Sequence, residues 1–189
     1  MGDPMTITLN GTTGITTPAS TVGGSAVLTA ASSLAAANLT GTVAASALPA
    51  GSVLQVVTAT NSTRFVTTST SFVADNLQAS ITPTSITSKI LVLVSSNGNN
   101  NNTSNHSLVY TLYRGATNLG GATNGFGWVA AFGQRIEVPI SIVYLDSPNT
   151  TSSTTYRTYI RTLNSASTVE KPSASLEMTE TITLVEIAG

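Results

Sequence analysis

At 189 residues the chain has room for one ordinary domain of about 100 to 150 residues, with a segment left over. Charged residues make up only 8% and the net charge is -1, where about 25% charged is usual, so the surface must be hydroxyl and amide and carries no footprint for nucleic acid or an anionic membrane. Cysteine is absent, which removes disulfides, thiolate catalysis and Cys-ligated zinc.

The start, Met1-Gly2-Asp3-Pro4, lacks a basic segment followed by an apolar one, and no run of about 18 apolar residues occurs anywhere. Neither a signal peptide nor membrane insertion is expected. Gly2 with Thr6 meets only the loose myristoylation pattern. Asp3 is the sole charged residue before Arg64, and this shift in charge divides the chain into residues 1–50 and 51–189. The first part has no Tyr, Phe or Trp and scatters Ile7, Leu9, Ile15, Val22, Val27, Leu28, Leu34, Leu39 and Val43 among Thr, Ala and Gly. It cannot bury a core alone. Disordered segments normally carry high net charge, so the expectation is an extended anchoring arm that gains its core on partner subunits, docking through Ile7, Leu9, Ile15, Val22, Leu28, Leu34, Leu39 and Val43. At most a short helix fits within it, over Thr29–Asn38, with Gly41 beyond its end.

From Gly51 the pattern becomes that of strands. Expected strands cover 52–59, 63–68, 71–74, 78–82, 89–95, 108–114, 127–132, 135–145, 154–161 and 181–188, all rich in β-branched and aromatic residues. Turn signals separate them at 82–84, 97–105, 115–118, 146–149 and 171–173. The fold class is all-β: an antiparallel β-sandwich of jelly-roll-like kind preceded by the arm. Residues 89–95 and 181–188 are apolar on both faces (Ile90, Val92, Val94 against Leu91, Leu93; Ile182, Leu184 against Val185, Ile187), which marks central strands or a subunit contact. In 154–161, Tyr156, Thr158 and Ile160 take one face and Arg157, Tyr159 and Arg161 a wet one.

Raw material for catalysis is scarce. His106 is the only histidine and stands in a polar loop; its one metal reading is a site shared by three subunits on a three-fold axis. A Ser-His-Asp triad would have to recruit it with Asp75 or Asp146, and no Gly-x-Ser-x-Gly elbow exists. Glu137, Asp146, Glu170, Glu177, Glu180 and Glu186 supply carboxylates without a pattern that pairs them across a sugar, and Glu137 reads as a surface ion-pair partner. No cofactor is implied and no enzyme activity is expected. Residues 120–128 are glycine-rich but lack the context of a phosphate-binding loop. Phe126, Trp128 and Phe132 can offer a stacking platform for a sugar, although burial of Trp128 in the core is the stronger expectation. The asparagine run 97–105 reads as a solvent-facing loop tip. Asn99, Asn101, Asn102, His106, Phe126 and Trp128 are thus the candidate receptor-facing residues.

The segment Met5-Thr-Ile-Thr-Leu-Asn-Gly-Thr-Thr-Gly-Ile-Thr-Thr-Pro18 resembles the opening of phage tail-fibre-like proteins. The stretches 38–43 and 47–56 resemble their junction with a C-terminal domain. Residues 82–92, 112–120, 145–156 and 181–188 are similar to a β-sandwich module of phage virion proteins, those of cyanophages among them. This resemblance spans nearly the whole chain, although the shaft repeats of long tail fibres are missing. It implies a homotrimer in the virion, assembled in the host cytoplasm: a short tail fibre or tail-attached adhesin whose arm docks on tail or baseplate proteins and whose sandwich meets a host glycan or protein. A capsid decoration protein stapling capsid subunits is the competing reading, and a glycan-degrading tailspike a third.

Overall fold

A computed structural model describes residues 21–22, 25–26, 48–100, 106–131, 135–172 and 178–189. The chain divides into two units, 1–42 and 43–189. In the first, strands β1 (Thr21–Val22) and β2 (Ser25–Ala26) pair antiparallel, Val22 opposite Ser25. The other arm residues named above, Ile7, Leu9, Ile15, Leu28, Leu34, Leu39 and Val43, and the helix expected at 29–38, lie outside the described residues.

The second unit is a sandwich of two antiparallel sheets. One contains β3 (Val53–Asn61), β4 (Phe65–Thr67), β6 (Lys89–Asn100), β10 (Ile136–Asp146), β12 (Val169–Lys171) and β13 (Glu180–Ile187). The other contains β5 (Val73–Ile81), β7 (His106–Arg114), β8 (Thr117–Asn118), β9 (Gly127–Ala131) and β11 (Thr154–Thr162). The chain passes repeatedly from one sheet to the other, so the inward face of nearly every strand meets a sequence-distant partner. In the first sheet β6 lies between β10 on one side and β13 and β12 on the other. In the second the order is β5, β11, β7, with β8 and β9 both paired to the far edge of β7.

Period-two alternation generates the core. Ile90, Val92 and Val94 of β6, Ile140 and Ile142 of β10, and Ile182 and Leu184 of β13 face Leu77 and Ile81 of β5, Leu108 and Leu112 of β7, and Tyr156 and Ile160 of β11. The wet face expected on β11 is present, since Arg157, Tyr159 and Arg161 are half-buried while Tyr156, Thr158 and Ile160 are buried.

Three expectations change. The two short strands at 71–74 and 78–82 are one strand, β5, because Asp75 does not end it: Asp75 points inward to an ion-pair partner, and Asp75–Leu77 bulge opposite Thr158 where the pairing steps from Arg157–Gln78 to Tyr159–Ala74. The turn expected at 171–173 begins inside β12, which inserts between β4 and the end of β6. The asparagine run is strand as far as Asn100, and its side chains at Asn97, Asn99 and Asn100 are buried.

Among the described residues every side-chain carboxylate but Glu137 has gone inside, and Lys171 with them. Asp75, Asp146, Glu170, Lys171, Glu180 and Glu186 are all buried, against the usual rule that such residues stay in water unless paired. Each is paired or saturated. Lys171 Nζ lies 2.8 Å from Asp75 Oδ2 and 3.0 Å from Glu180 Oε1, tying both sheets together. Glu170 receives Arg64, Arg135 and the Asn99 amide. Arg114 Nη1 donates to both oxygens of Asp146, 2.8 Å each, and the Tyr156 hydroxyl donates to Asp146 Oδ2 at 2.6 Å. Burial, then the hydrogen bond to Asp146, raises the Tyr156 phenol above its ordinary range. For Glu186 burial pushes upward, but the hydrogen bonds it accepts, from the Gln55 amide and from the Thr84 N–H and hydroxyl among others, outweigh it and hold the carboxyl below its usual range.

Candidate functional site

With the buried carboxylates of the described residues committed to internal pairs, the broadest surfaces left for function are the outer faces of the two sheets. On the second sheet, strand alternation places Arg157, Tyr159 and Arg161 of β11 beside Tyr113 of β7, and Phe72 stands at the entrance of β5. The Tyr113 and Tyr159 rings stack at 3.9 Å and 23°. Phe72 meets Tyr113 edge-on at 6.4 Å, and the Arg161 guanidinium lies 5.1 Å above the Phe72 ring. Arg161 is fixed by donating to the carbonyls of Thr70 and Thr123, and Arg157 Nε donates to the Asp75 carbonyl at 2.6 Å. Ion pairs among the described residues use Arg64, Arg114, Arg135 and Lys171, not Arg157 or Arg161. The result is a preformed aromatic slab flanked by two guanidinium groups, a composition suited to contact with partners.

Trp128 belongs to the same face. It pairs with Val109, which pairs in turn with Arg161, and it is 52% exposed. The expectation of core burial is therefore overturned: alternation along β9 gives the inward places to Gly127 and Val129, opposite Tyr110 and Leu108, and sends the indole outward. Phe126 is half-buried, its ring edge-on to Tyr144 at 5.4 Å, so it seals the open side of the sandwich. Asn99 is 1% exposed and donates to Glu170 Oε1 at 2.6 Å. It is no receptor-facing residue, because the buried Glu170 carboxylate requires its amide. His106 opens β7 opposite Ala131; Asn101, Asn102 and Phe132 lie outside the described residues. Glu137 pairs with Arg135 at 2.6 Å on the surface, as expected.

The outer face of the first sheet differs. Register aligns Leu145, Leu91, Val185 and Val56 in one row across β10, β6, β13 and β3, and Val143, Leu93, Thr183 and Thr58 in the next. A third row, Ser141, Ser95, Thr181 and Thr60, is entirely hydroxyl. Val143 is 67% exposed, and Leu145, Val56 and Leu93 are exposed as well. Among the described residues β10 pairs only with β6, so its outer edge is open. Glu137 and Pro139 blunt one half of that edge in the way edge strands are usually protected, and Ser141–Leu145 has no such guard.

This arrangement offers stacking and apolar contact surfaces. Among the described residues no group of three His, Asp or Glu side chains is placed to hold a metal, and no helix is long and apolar enough to cross a membrane. No protein-family model matches the chain, and no curated protein matches it.

Proposed function

We propose that the chain is a structural component of a tailed-phage virion: a short trimeric tail fibre or tail-attached adhesin, with residues 1–50 docking on tail proteins and the sandwich contacting the host surface. The observation that supports this most is the division of the sandwich into two unlike faces. One is an apolar and hydroxyl sheet with an unguarded edge, the kind of surface that subunits cover in one another. The other carries Phe72, Tyr113, Tyr159, Trp128 and two arginines, the residue types that dominate binding hot spots. Carried in many copies, such a face binds usefully even when each contact is weak. The buried carboxylates speak against hydrolysis, since each is engaged by an internal donor or cation.

Immunogold labelling of intact particles with antibody against residues 51–189 tests the reading. Tail-tip or baseplate label is the expected result. Label over the head transfers the protein to capsid decoration, and particles that carry none of it refute both.

A further inference from the structure

The cluster around Lys171 joins a primary amine to a carboxylate inside a closed sandwich. Nζ is 2.8 Å from Asp75 Oδ2 and 3.0 Å from Glu180 Oε1, and the side chains of Lys171, Asp75 and Glu180 are 0%, 0% and 1% exposed. Lys171 sits on β12 in one sheet, Asp75 on β5 in the other and Glu180 at the start of β13. The other ion-paired carboxylates meet arginine, whose guanidinium is the usual partner for a partly buried pair and does not condense with an acid. Here the partner is lysine, and it is wholly enclosed.

We propose that Lys171 and Asp75 become joined by an intramolecular isopeptide bond, with Glu180 as the proton carrier. Passage of one ammonium proton across the 2.8 Å contact to Asp75 Oδ2 leaves Nζ a free amine against a neutral carboxyl, and as Nζ adds to Cγ the Glu180 carboxylate, 3.0 Å away, takes a second proton from Nζ and returns it to Oδ2. Asp75 Oδ1 accepts the Leu77 N–H at 2.9 Å and lies 2.6 Å from the Thr158 hydroxyl, so donors already stand where negative charge develops when Nζ adds to Cγ. Oδ2, facing Nζ, is the leaving oxygen. The Nζ–Cγ bond forms, the Cγ–Oδ2 bond breaks, and two of the three ammonium hydrogens depart with that oxygen as one water. Ammonium plus carboxylate gives amide plus water, Glu180 ends as it began, and neither oxidant nor cofactor is needed. Thr158 Oγ1, 2.9 Å from Nζ and 2.7 Å from Oδ2, lies between the two reacting groups. Glu180 is held for its part by the Ser96 hydroxyl on Oε1 and by the Asn61 amide on Oε2 at 3.1 Å. Fixed proximity supplies what free amines and acids in water lack, and the product removes two charges from the interior.

The test is mass spectrometry of the purified full chain, intact and after denaturation and proteolysis. The expected result is a chain one water lighter than its sequence and a branched product joining the Asp75 and Lys171 peptides. Asp75→Asn is expected to give the same linkage with loss of ammonia instead of water, and Glu180→Gln to leave the two peptides separate. A cooperatively folded wild-type chain whose Asp75 and Lys171 peptides are recovered only apart overturns the bond, whatever the variants do. A branched product formed undiminished in Glu180→Gln overturns the role of Glu180. The measurement concerns the chain alone and is independent of where in a virion it sits.

Discussion

Replacing Tyr156 by Phe deletes one oxygen from the middle of the sandwich and leaves the ring in place. The hydroxyl is buried and donates to Asp146 Oδ2 at 2.6 Å, while Arg114 continues to hold both oxygens of that carboxylate at 2.8 Å. No cavity large enough for water forms, so the cost is that of one hydrogen bond to an ionised group, about 1.5 to 3 kcal/mol. For a domain of this size each kcal/mol is worth about 2 to 4 °C, so melting should fall by about 3 to 12 °C. Urea unfolding followed by Trp128 fluorescence gives the free energy directly, with the slope against denaturant unchanged because the buried surface is the same. Removing Asp146 instead, as Asp146→Ala, strands a phenol and a guanidinium and should cost more than Tyr156→Phe. A loss below about 0.5 kcal/mol for Tyr156→Phe, within the range of ordinary surface changes, refutes the reasoning that this buried hydrogen bond, from β11 of one sheet to β10 of the other, contributes to stability.

Glu186→Gln should flatten the acid side of the stability profile. The folded carboxyl is held below its ordinary value of 4.5, so the unfolded chain binds the proton first; this contribution is complete above about pH 4.5 and is lost as pH falls through the folded value. Urea titrations at a series of acidic pH values should show the wild type losing more than the variant, and parallel profiles would sink the assignment. Val143→Lys places a charge on the open edge of β10 at a residue 67% exposed. Monomer stability should change by no more than about 0.5 kcal/mol, while sedimentation should show the proposed trimer weakened; a trimer that persists unchanged means that copies meet through another surface.

Much of the sandwich is legible in sequence because alternation is an unambiguous signal where one face is dry. The even positions of β11 (Tyr156, Thr158, Ile160) and the two apolar faces of β6 and β13 could be assigned from the residues alone. What could not be read is where a polar residue has an internal partner. Asp75, Asn99, Glu170 and Lys171 look like solvent-facing punctuation, and each is buried by a partner more than seventy positions away. Long-range ion pairing leaves no local pattern, so β5 reads as two pieces and β12 as a turn. Trp128 departs from the expectation of burial for the converse reason. Size argues for the core, yet phase along β9, with Gly127 and Val129 in register with Tyr110 and Leu108, is what decides. The aromatic slab was half visible: alternation alone gives Arg157, Tyr159 and Arg161 one face, but the approach of Tyr113 and Phe72 depends on strand order, which no single sequence declares.

Turning charge inward has a consequence for the water outside. Dissolved ions weaken attractions only where they can gather, over about 8 Å at physiological ionic strength and about 3 Å at 1 M, and the enclosed Lys171, Asp75 and Glu180 are beyond their reach. A shell made mostly of threonine, serine and valine, with only scattered charges, gathers few counterions. Such a domain keeps its shape from dilute buffer to brine, and its apolar contacts tighten as excluded salts accumulate.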